Sequence, residues 1–551
     1  MSSTLETRTS RTSTRSLLPI VALLAAWSAY FITYILAQRP PRLLTRTFDD
    51  ACYYLKIAQN AANGLGLTFD GMAPTNGFQP LWLYLLVPII RFVDGSPERI
   101  FKLSLVLQVL IMATAAVLLY TGLGKIFSGR VVLVSALFFV PAVFYPSVNG
   151  MESSILILCM VVLFLFGLHN RVFEQDRAVT ALGFGLLLGL THLARLDTLF
   201  LSIAIGVVCL WAALRDRARA ATHLRRLLWI GFGCALVVMP YLIYNYRSFG
   251  AFVPISGILK SSFPHVVVSG TLLEKFGVRH LAYLALAALV LIGFLFRRRW
   301  GWMLPAHPYV AAALAATALA MLMHATQSTL FMKWAAFRWH FAWYGLVAAV
   351  ALLAPLEALL ASRTAALRKL ATPLAILVLA AGTAEIYRKD SRDFGYDWHA
   401  AMFDAATWAR NHTPKDAVLA MPDAGFVSFF SGRRVVNLDG LVNDLTYQEY
   451  LRQGRLGDYL DARGVQYLIV HDFGADLDLA RYESAPIKLI SYKYETWSEP
   501  VIVRQSDEVF RSPVYPYGRH RVMLAIWRRN ADPPAARVTE PMPPAGSRPG
   551  T

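Results

Sequence analysis

The chain has 551 residues, of which 56% are hydrophobic and 16% charged. Soluble domains carry about 25% charged residues, so this composition excludes a protein that is soluble throughout. The net charge of +18 would point to a polyanionic partner in a soluble protein. Here, however, Arg and Lys collect in short connectors between apolar runs, as the positive-inside rule requires. The expected surroundings are therefore a lipid bilayer, and nucleic acid is not an expected partner.

From the N-terminus, residues 1–16 carry Arg8, Arg11 and Arg15 and then meet an apolar run with no small-residue cleavage site. They are expected to be a cytoplasmic tail before an uncleaved first span. Apolar runs of spanning character recur about eleven times, near 17–37, 100–122, 131–147, 154–168, 178–193, 198–214, 227–245, 281–296, 308–326, 341–361 and 370–386. Residues 78–93, FQPLWLYLLVPIIRFV, are apolar but short and hold two prolines, so they read as either a span or a re-entrant segment. Charge favours re-entry: only then do the connectors with Lys125 and Arg130, Arg171 and Arg177, Arg215 to Arg226, Arg297 to Arg299, and Arg363 to Lys369 all fall on the cytoplasmic side.

This count places two long loops, residues 38–99 and 246–280, on the outer face of a cell or plasma membrane, together with everything after Tyr387. Residues 387–530 read as a small α/β domain on the periplasmic or extracellular side. A helix from Trp398 to His412, strands at 417–421, 435–438 and 466–470, and an amphipathic stretch from Tyr447 to Arg463 alternate there. Residues 531–551, rich in Pro and Ala, read as a disordered tail, and no internal repeat is visible. Three of the four cysteines, Cys159, Cys209 and Cys234, lie in apolar runs and Cys52 stands alone, so neither a disulfide framework nor a metal-spaced pair is present.

The first long loop opens TFDDACYYLKIAQNAANG. Ala51, Leu55, Ala58 and Ala62 recur at helical spacing, which predicts a short helix along the membrane surface. Asp49 and Asp50 head it. One acid can cap a helix; two adjacent acids also offer a general base and a site for a divalent ion such as Mg or Mn. On the outer side, Arg195, Arg247 and Lys260 run against the topological charge bias. They are candidate anion-binding groups, with an Arg195–Asp197 ion pair as the alternative for the first. His192 and His324 are expected to pack or hydrogen-bond at helix ends. The aromatic run FMKWAAFRWHFAWYG at 331–345 is expected to be an interfacial belt.

The run FDDACYYLKIAQNAANGLGLTFDGMAPTNGFQPLWLYLL, with GMESS at 150–154, GLLLGLTHLARLD at 185–197, PYLIYNYRSFGAFVPISGILKSS at 240–262 and FFSGRRVVNLDGLVN at 429–443, resembles the GT-C glycosyltransferases. These polytopic enzymes use polyprenyl-phosphate sugars, and they include the lipid A aminoarabinose transferase, protein O-mannosyltransferases and mycobacterial arabinofuranosyltransferases. The resemblance implies a GT-C-like polytopic α-helical membrane domain over 17–386 with a catalytic first outer loop at 38–99. It puts a catalytic base at Asp49 or Asp50 and an acidic residue near the site at Glu152. Arg195-Leu196-Asp197 stands where the family has an Arg-Pro-Asp-like sequence, and Arg433 and Asp439 lie in an acceptor-contacting stretch. The implied activity is inverting transfer of a sugar from a polyprenyl-phosphate donor to a hydroxyl of a glycan, lipid or protein acceptor. The rivals are a transporter or flippase of lipid-linked saccharide, and a non-catalytic lipid-glycan-binding protein. Against a transporter, the notable charges lie at the outer ends of spans and not at mid-bilayer.

Overall fold

The computed structural model describes residues 14–93, 95–268, 270–300, 304–334, 337–360, 373, 377, 380–388, 396–472, 484–490, 496–517 and 520–529. The expected tail at 531–551 lies outside them, as do residues 1–13 and most of 370–386. The chain is a multi-pass membrane protein. Among the described residues, eight helices are long and apolar enough to cross a membrane: Leu18–Ala37, Pro97–Leu123, Gly129–Ser147, Leu196–Arg215, Arg217–Phe249, Leu272–Leu295, Pro308–Leu330 and Arg338–Leu360. Two further expected spans, Ser153–His169 and Ala178–Ala194, are helices of 17 residues. At 1.5 Å per residue each covers ~25 Å, short of a ~30 Å hydrocarbon core.

Residues Pro80–Phe92 form a helix of 13 residues, ~20 Å long and so too short to span on its own. The helix Gly129–Phe139 passes into a π-type turn at Val140–Phe144, where Pro141 supplies no N–H to the regular ladder.

The helix expected along the membrane surface is present as Asp49–Ala62, but in a different setting. Ten of its residues are buried, including Asp49, Lys56 and Asn60 on the side that simple amphipathicity would leave wet. It packs against the short helix Pro80–Phe92 and against Gly425–Ser431 of the C-terminal domain.

The C-terminal domain is built on a sheet with strand order β2-β1-β3-β8-β6. Strands β1 (Val418–Met421), β2 (Arg434–Asn437) and β3 (Tyr467–Asp472) are parallel, and β8 (His520–Arg528) runs antiparallel to β3. β6 (Glu508–Arg511) and β7 (Tyr515–Tyr517) both pair with β8, while β4 (Ser484–Ile490) and β5 (Thr496–Ile502) form a separate antiparallel pair. The helix expected from Trp398 begins at Tyr396 and ends at His412. The amphipathic stretch divides into Leu445–Arg452 and Leu456–Ala462. Gly454 between them takes φ 65°, a conformation a side chain would strain.

The domain is seated on the first loop by close backbone contact. A Cβ on Gly77 would lie 2.0 Å from the Leu441 carbonyl oxygen. Beside it the Thr75 hydroxyl donates to the Asn443 carbonyl (3.2 Å), and the Ile255 N–H donates to Asn76 Oδ1 (3.0 Å). Thr75, Asn76 and Gly77 thus join the first loop to the second loop and to the domain. We expect Gly77→Ala to destabilise the protein by about 1–3 kcal/mol and to speed proteolytic release of the C-terminal domain. Gly206→Ala is the control: nothing lies within 4 Å of the new methyl, and thermal unfolding should be unchanged or slightly raised.

Candidate active site

Adjacent residues on a helix point about 100° apart, so Asp49 and Asp50 cannot serve one site as a parallel pair. The structure separates them. Asp49 does not cap its own helix; its Oδ2 accepts from Gly425 N (2.8 Å) and its Oδ1 from Phe426 N (2.7 Å). These two N–H groups open the helix Gly425–Ser431 of the C-terminal domain. Gly425 permits the approach, because a Cβ there would sit 2.2 Å from the Asp49 carbonyl oxygen. Burial, then the nearby Asp423 charge, pushes the Asp49 carboxyl well above its ordinary range, and the two N–H donors pull it the other way.

Asp50 keeps its carboxylate for a different neighbour. Lys260 Nζ, at the end of the short helix Ile255–Lys260, lies 3.6 Å from Asp50 Oδ2. Both side chains are partly open to solvent, and the separation is an ion pair longer than a normal hydrogen bond. The same ammonium sits 5.8 Å from the Trp334 ring centroid, within reach of a cation–π attraction. Burial raises the Asp50 pKa, Lys260 lowers it and Asp439 raises it, with a net upward shift. A carboxylate held above its ordinary pKa range is nearer the range general-base chemistry uses.

Asp439 is brought to the same joint. Its Oδ2 accepts from Tyr53 Oη (2.7 Å) and Asp423 N (3.0 Å), and its Oδ1 from Leu441 N (2.8 Å). Asn437 Nδ2 donates to Tyr53 Oη (3.1 Å), which leaves the buried Asn437 Oδ1 without a hydrogen-bond partner. The NLDG stretch therefore reaches the loop helix at Tyr53, three residues after Asp50.

Glu152 and Arg195 form a second, drier cluster. Glu152 is 2% exposed; its Oε2 accepts from Tyr54 Oη (3.0 Å) and its Oε1 lies 3.3 Å from Arg195 Nη1. Arg195 Nε donates to both oxygens of Asp197 (2.9 Å each), and its Nη1 donates to the Trp339 carbonyl (3.0 Å). Of the two readings open for Arg195, an anion-binding group or an ion pair with Asp197, the structure shows the ion pair, with Glu152 as a second carboxylate neighbour. The Leu196–Thr198 turn forms without the family's proline. Leu196 N, which a proline would lack, donates to Gln79 Oε1 (3.1 Å) and so ties the turn to the first loop.

Two histidines complete the surroundings. His324 Nε2 lies 3.2 Å from Asp197 Oδ2 and its Nδ1 2.9 Å from Tyr344 Oη, so it belongs to the cluster and does not merely pack. His340 went unnoticed in the sequence because it hides in an aromatic run. It is buried with Nδ1 lacking a hydrogen-bond partner, and it feels the charges of Arg195, Lys260, Asp197 and His324. That run is no simple interfacial belt: Trp339, Trp343 and Tyr344 are all buried, and the Trp339 ring lies 4.0 Å from that of Phe48, immediately before the acid pair.

Two candidates fall outside this assembly. Arg247 is exposed on the last turn of Ala220–Phe249. Arg433 donates to Thr413 Oγ1 and to the carbonyls of Thr413, Arg410 and Ser431, so it staples the C-terminal domain internally. The metal expectation fares no better. Asp49 spends both oxygens on N–H groups, Asp50 faces an ammonium, and no group of three His, Cys, Asp or Glu side chains suited to a metal exists among the described residues. No step is therefore routed through a metal.

The two aspartates should respond differently to amidation. In Asp49→Asn the new NH2 meets an N–H donor, so we expect a loss of about 1–3 kcal/mol in thermal or denaturant unfolding. Asp50→Asn should unfold like wild type.

Residues 385–517 match a family model described as a domain of unknown function (DUF8728). No curated protein matches the chain. Among solved structures, the oligosaccharyltransferase of Archaeoglobus fulgidus, tethered to an acceptor peptide, is similar over 83% of this chain and 69% of its own, at 13% identity and TM-score 0.53. The same archaeal enzyme, AglB, in complex with an inhibitory peptide and dolichol-phosphate, is similar over 82% and 69%, at 13% identity and TM-score 0.50. ArnT from Cupriavidus metallidurans, bound to undecaprenyl phosphate, covers 92% of this chain and 97% of its own at 12% identity and TM-score 0.47. The chain thus has the polytopic helical fold of the archaeal oligosaccharyltransferase, with a sheet-containing C-terminal domain.

Proposed function

We propose that the protein is an inverting glycosyltransferase that moves a sugar from a polyprenyl-phosphate donor to a hydroxyl of a glycan, lipid or protein acceptor on the outer face of the membrane. The observation that carries this reading is the Asp50–Lys260 pair. A carboxylate with a raised pKa and a primary ammonium face each other across a 3.6 Å gap, at the joint of bundle, first loop and C-terminal domain. Lipid phosphates in the fold relatives support a donor of this class.

In this mechanism Lys260 leaves Asp50 for the donor phosphate as the lipid enters, and loss of the cation raises the Asp50 pKa further. Asp50 then accepts the proton of the acceptor hydroxyl. The acceptor oxygen attacks the anomeric carbon from the face opposite the phosphate, the bond to the phosphate oxygen breaks with its electron pair, and Lys260 stabilises the charge that develops there. A single displacement inverts the anomeric centre. His340, which feels the charges of both Arg195 and Lys260 and has a buried Nδ1 without a partner, donates to the same phosphate in this reading. Glu152, Arg195 and Asp197 act as positioning residues that hold the turn and the Trp339 backbone. Asp49 acts through the seat of the C-terminal domain, which presents the acceptor.

The test incubates purified protein with labelled polyprenyl-phosphate sugars and a panel of acceptors. Asp50→Asn should lower transfer by about 10²-fold or more while the fold is retained. Wild-type activity should fall as pH drops through the raised Asp50 pKa, because the base is then protonated. Lys260→Met removes the neighbour that lowers that pKa, so the acid limb should move to higher pH. Undiminished transfer by Asp50→Asn would overturn the base assignment. Donor movement across vesicles without sugar transfer would favour a flippase, and donor retention with neither would favour a lipid-glycan-binding protein.

A further inference from the structure

The end of the bundle opposite the carboxylate cluster holds a second polar feature. The helix Leu199–Arg215 starts just after Asp197 and runs 17 residues, so its far end is ~25 Å from the site. There a cavity of about 780 Å³ opens between the ends of several helices, a size that suits a small-molecule or head-group ligand. Arg215, Arg226, Arg297 and Arg299 line it, against one carboxylate, Glu174.

A concentration of arginines at this face is what the positive-inside rule gives without any ligand. Arg226 is different in kind. It is 4% exposed, yet no ion pair ties it to a carboxylate among the described residues. Its Nη1 faces His223 Nδ1 (3.0 Å) and its Nη2 donates to the Gln175 carbonyl (3.2 Å), while its Nε has no hydrogen-bond partner. The nearby Asp176 pairs with Arg225. A guanidinium buried without a counter-ion is costly, and this one borders a cavity large enough to admit an anion.

The rest of the lining is apolar. The Trp211 and Phe294 rings meet at 5.0 Å, Arg215 lies over Trp211 at 4.7 Å, and Val208 and Ala312 extend the wall toward the bundle. Leu295 and Phe296, also in the lining, are exposed. Cations at the rim above an apolar wall fit an amphiphile with an anionic head and a hydrocarbon tail better than a soluble anion.

We propose that this cavity binds a diacyl phospholipid of anionic head group, with the Arg226 guanidinium on its phosphate and the acyl chains along the Trp211–Phe294 wall. The site is separate from the proposed transferase centre and stands or falls independently of it.

The test uses full-length protein, delipidated in a neutral detergent, and native mass spectrometry with added phosphatidylglycerol, phosphatidylcholine or soluble glycerol 3-phosphate. Phosphatidylglycerol should be retained at one equivalent and raise the apparent melting temperature; the other two should do neither at matched concentration. Arg226→Gln should weaken phosphatidylglycerol retention about tenfold. Arg215→Gln, on the exposed rim, should weaken it several-fold and keeps the test decisive if the first variant does not fold. Equal retention of phosphatidylcholine, equal protection by glycerol 3-phosphate, or unchanged phosphatidylglycerol retention in a folded variant would each overturn the proposal.

Discussion

Everything near the candidate site depends on how one carboxylate is spent. Asp49 supplies acceptors to the two backbone N–H groups that open Gly425–Ser431, a two-point contact between segments 376 residues apart in sequence. It fixes the start of the loop helix against the C-terminal domain. Asp50, one residue later and a third of a turn round, is thereby directed toward Lys260. The pair works through this division: one acid holds the joint, and the other keeps a carboxylate that solvent and a substrate can reach.

The second cluster is stiff by comparison. Glu152 and Asp197 both pair with Arg195, the Glu152 contact in a nearly dry setting, and Tyr54, His324 and the Trp339 carbonyl bond the same three side chains, while Gln79 holds the adjoining Leu196 N–H. Removing one member of such a network strands a charge, which costs far more than an exposed pair is worth. It suits a frame that holds the first loop to the helix ends. The Asp50–Lys260 pair is longer, and wetter than the Glu152–Arg195 contact, and a ligand can exchange into it at lower cost.

The parts legible in the sequence were those set by local pattern. Apolar runs of spanning length marked the bundle, β1 to β3 stood out as short apolar runs, and the acid pair announced itself by standing at a helix start. Strands β4 to β8 did not stand out. Pro486 and Pro500 sit opposite each other in β4 and β5, and Pro516 lies in β7, residues that argue against strand in any local reading. The buried surroundings of Asp49–Ala62 were also invisible, because helical periodicity records one apolar face and cannot register a domain that covers the other. Trp339 and His340 were hidden for a related reason: an aromatic-rich helix end reads as a membrane belt until its tertiary partners, Phe48 and Arg195, are known. Arg433 shows the reverse error, since likeness to a family stretch drew attention to a residue whose guanidinium turns inward to carbonyls.

The most direct test of the account is a structure of the protein with a polyprenyl phosphate bound. The account requires the phosphate to contact Lys260 Nζ, displaced from Asp50, with the Asp50 carboxylate open toward the acceptor side and Asp49 still on Gly425 and Phe426. A phosphate seated away from Lys260 while the Asp50–Lys260 pair stays closed would contradict it.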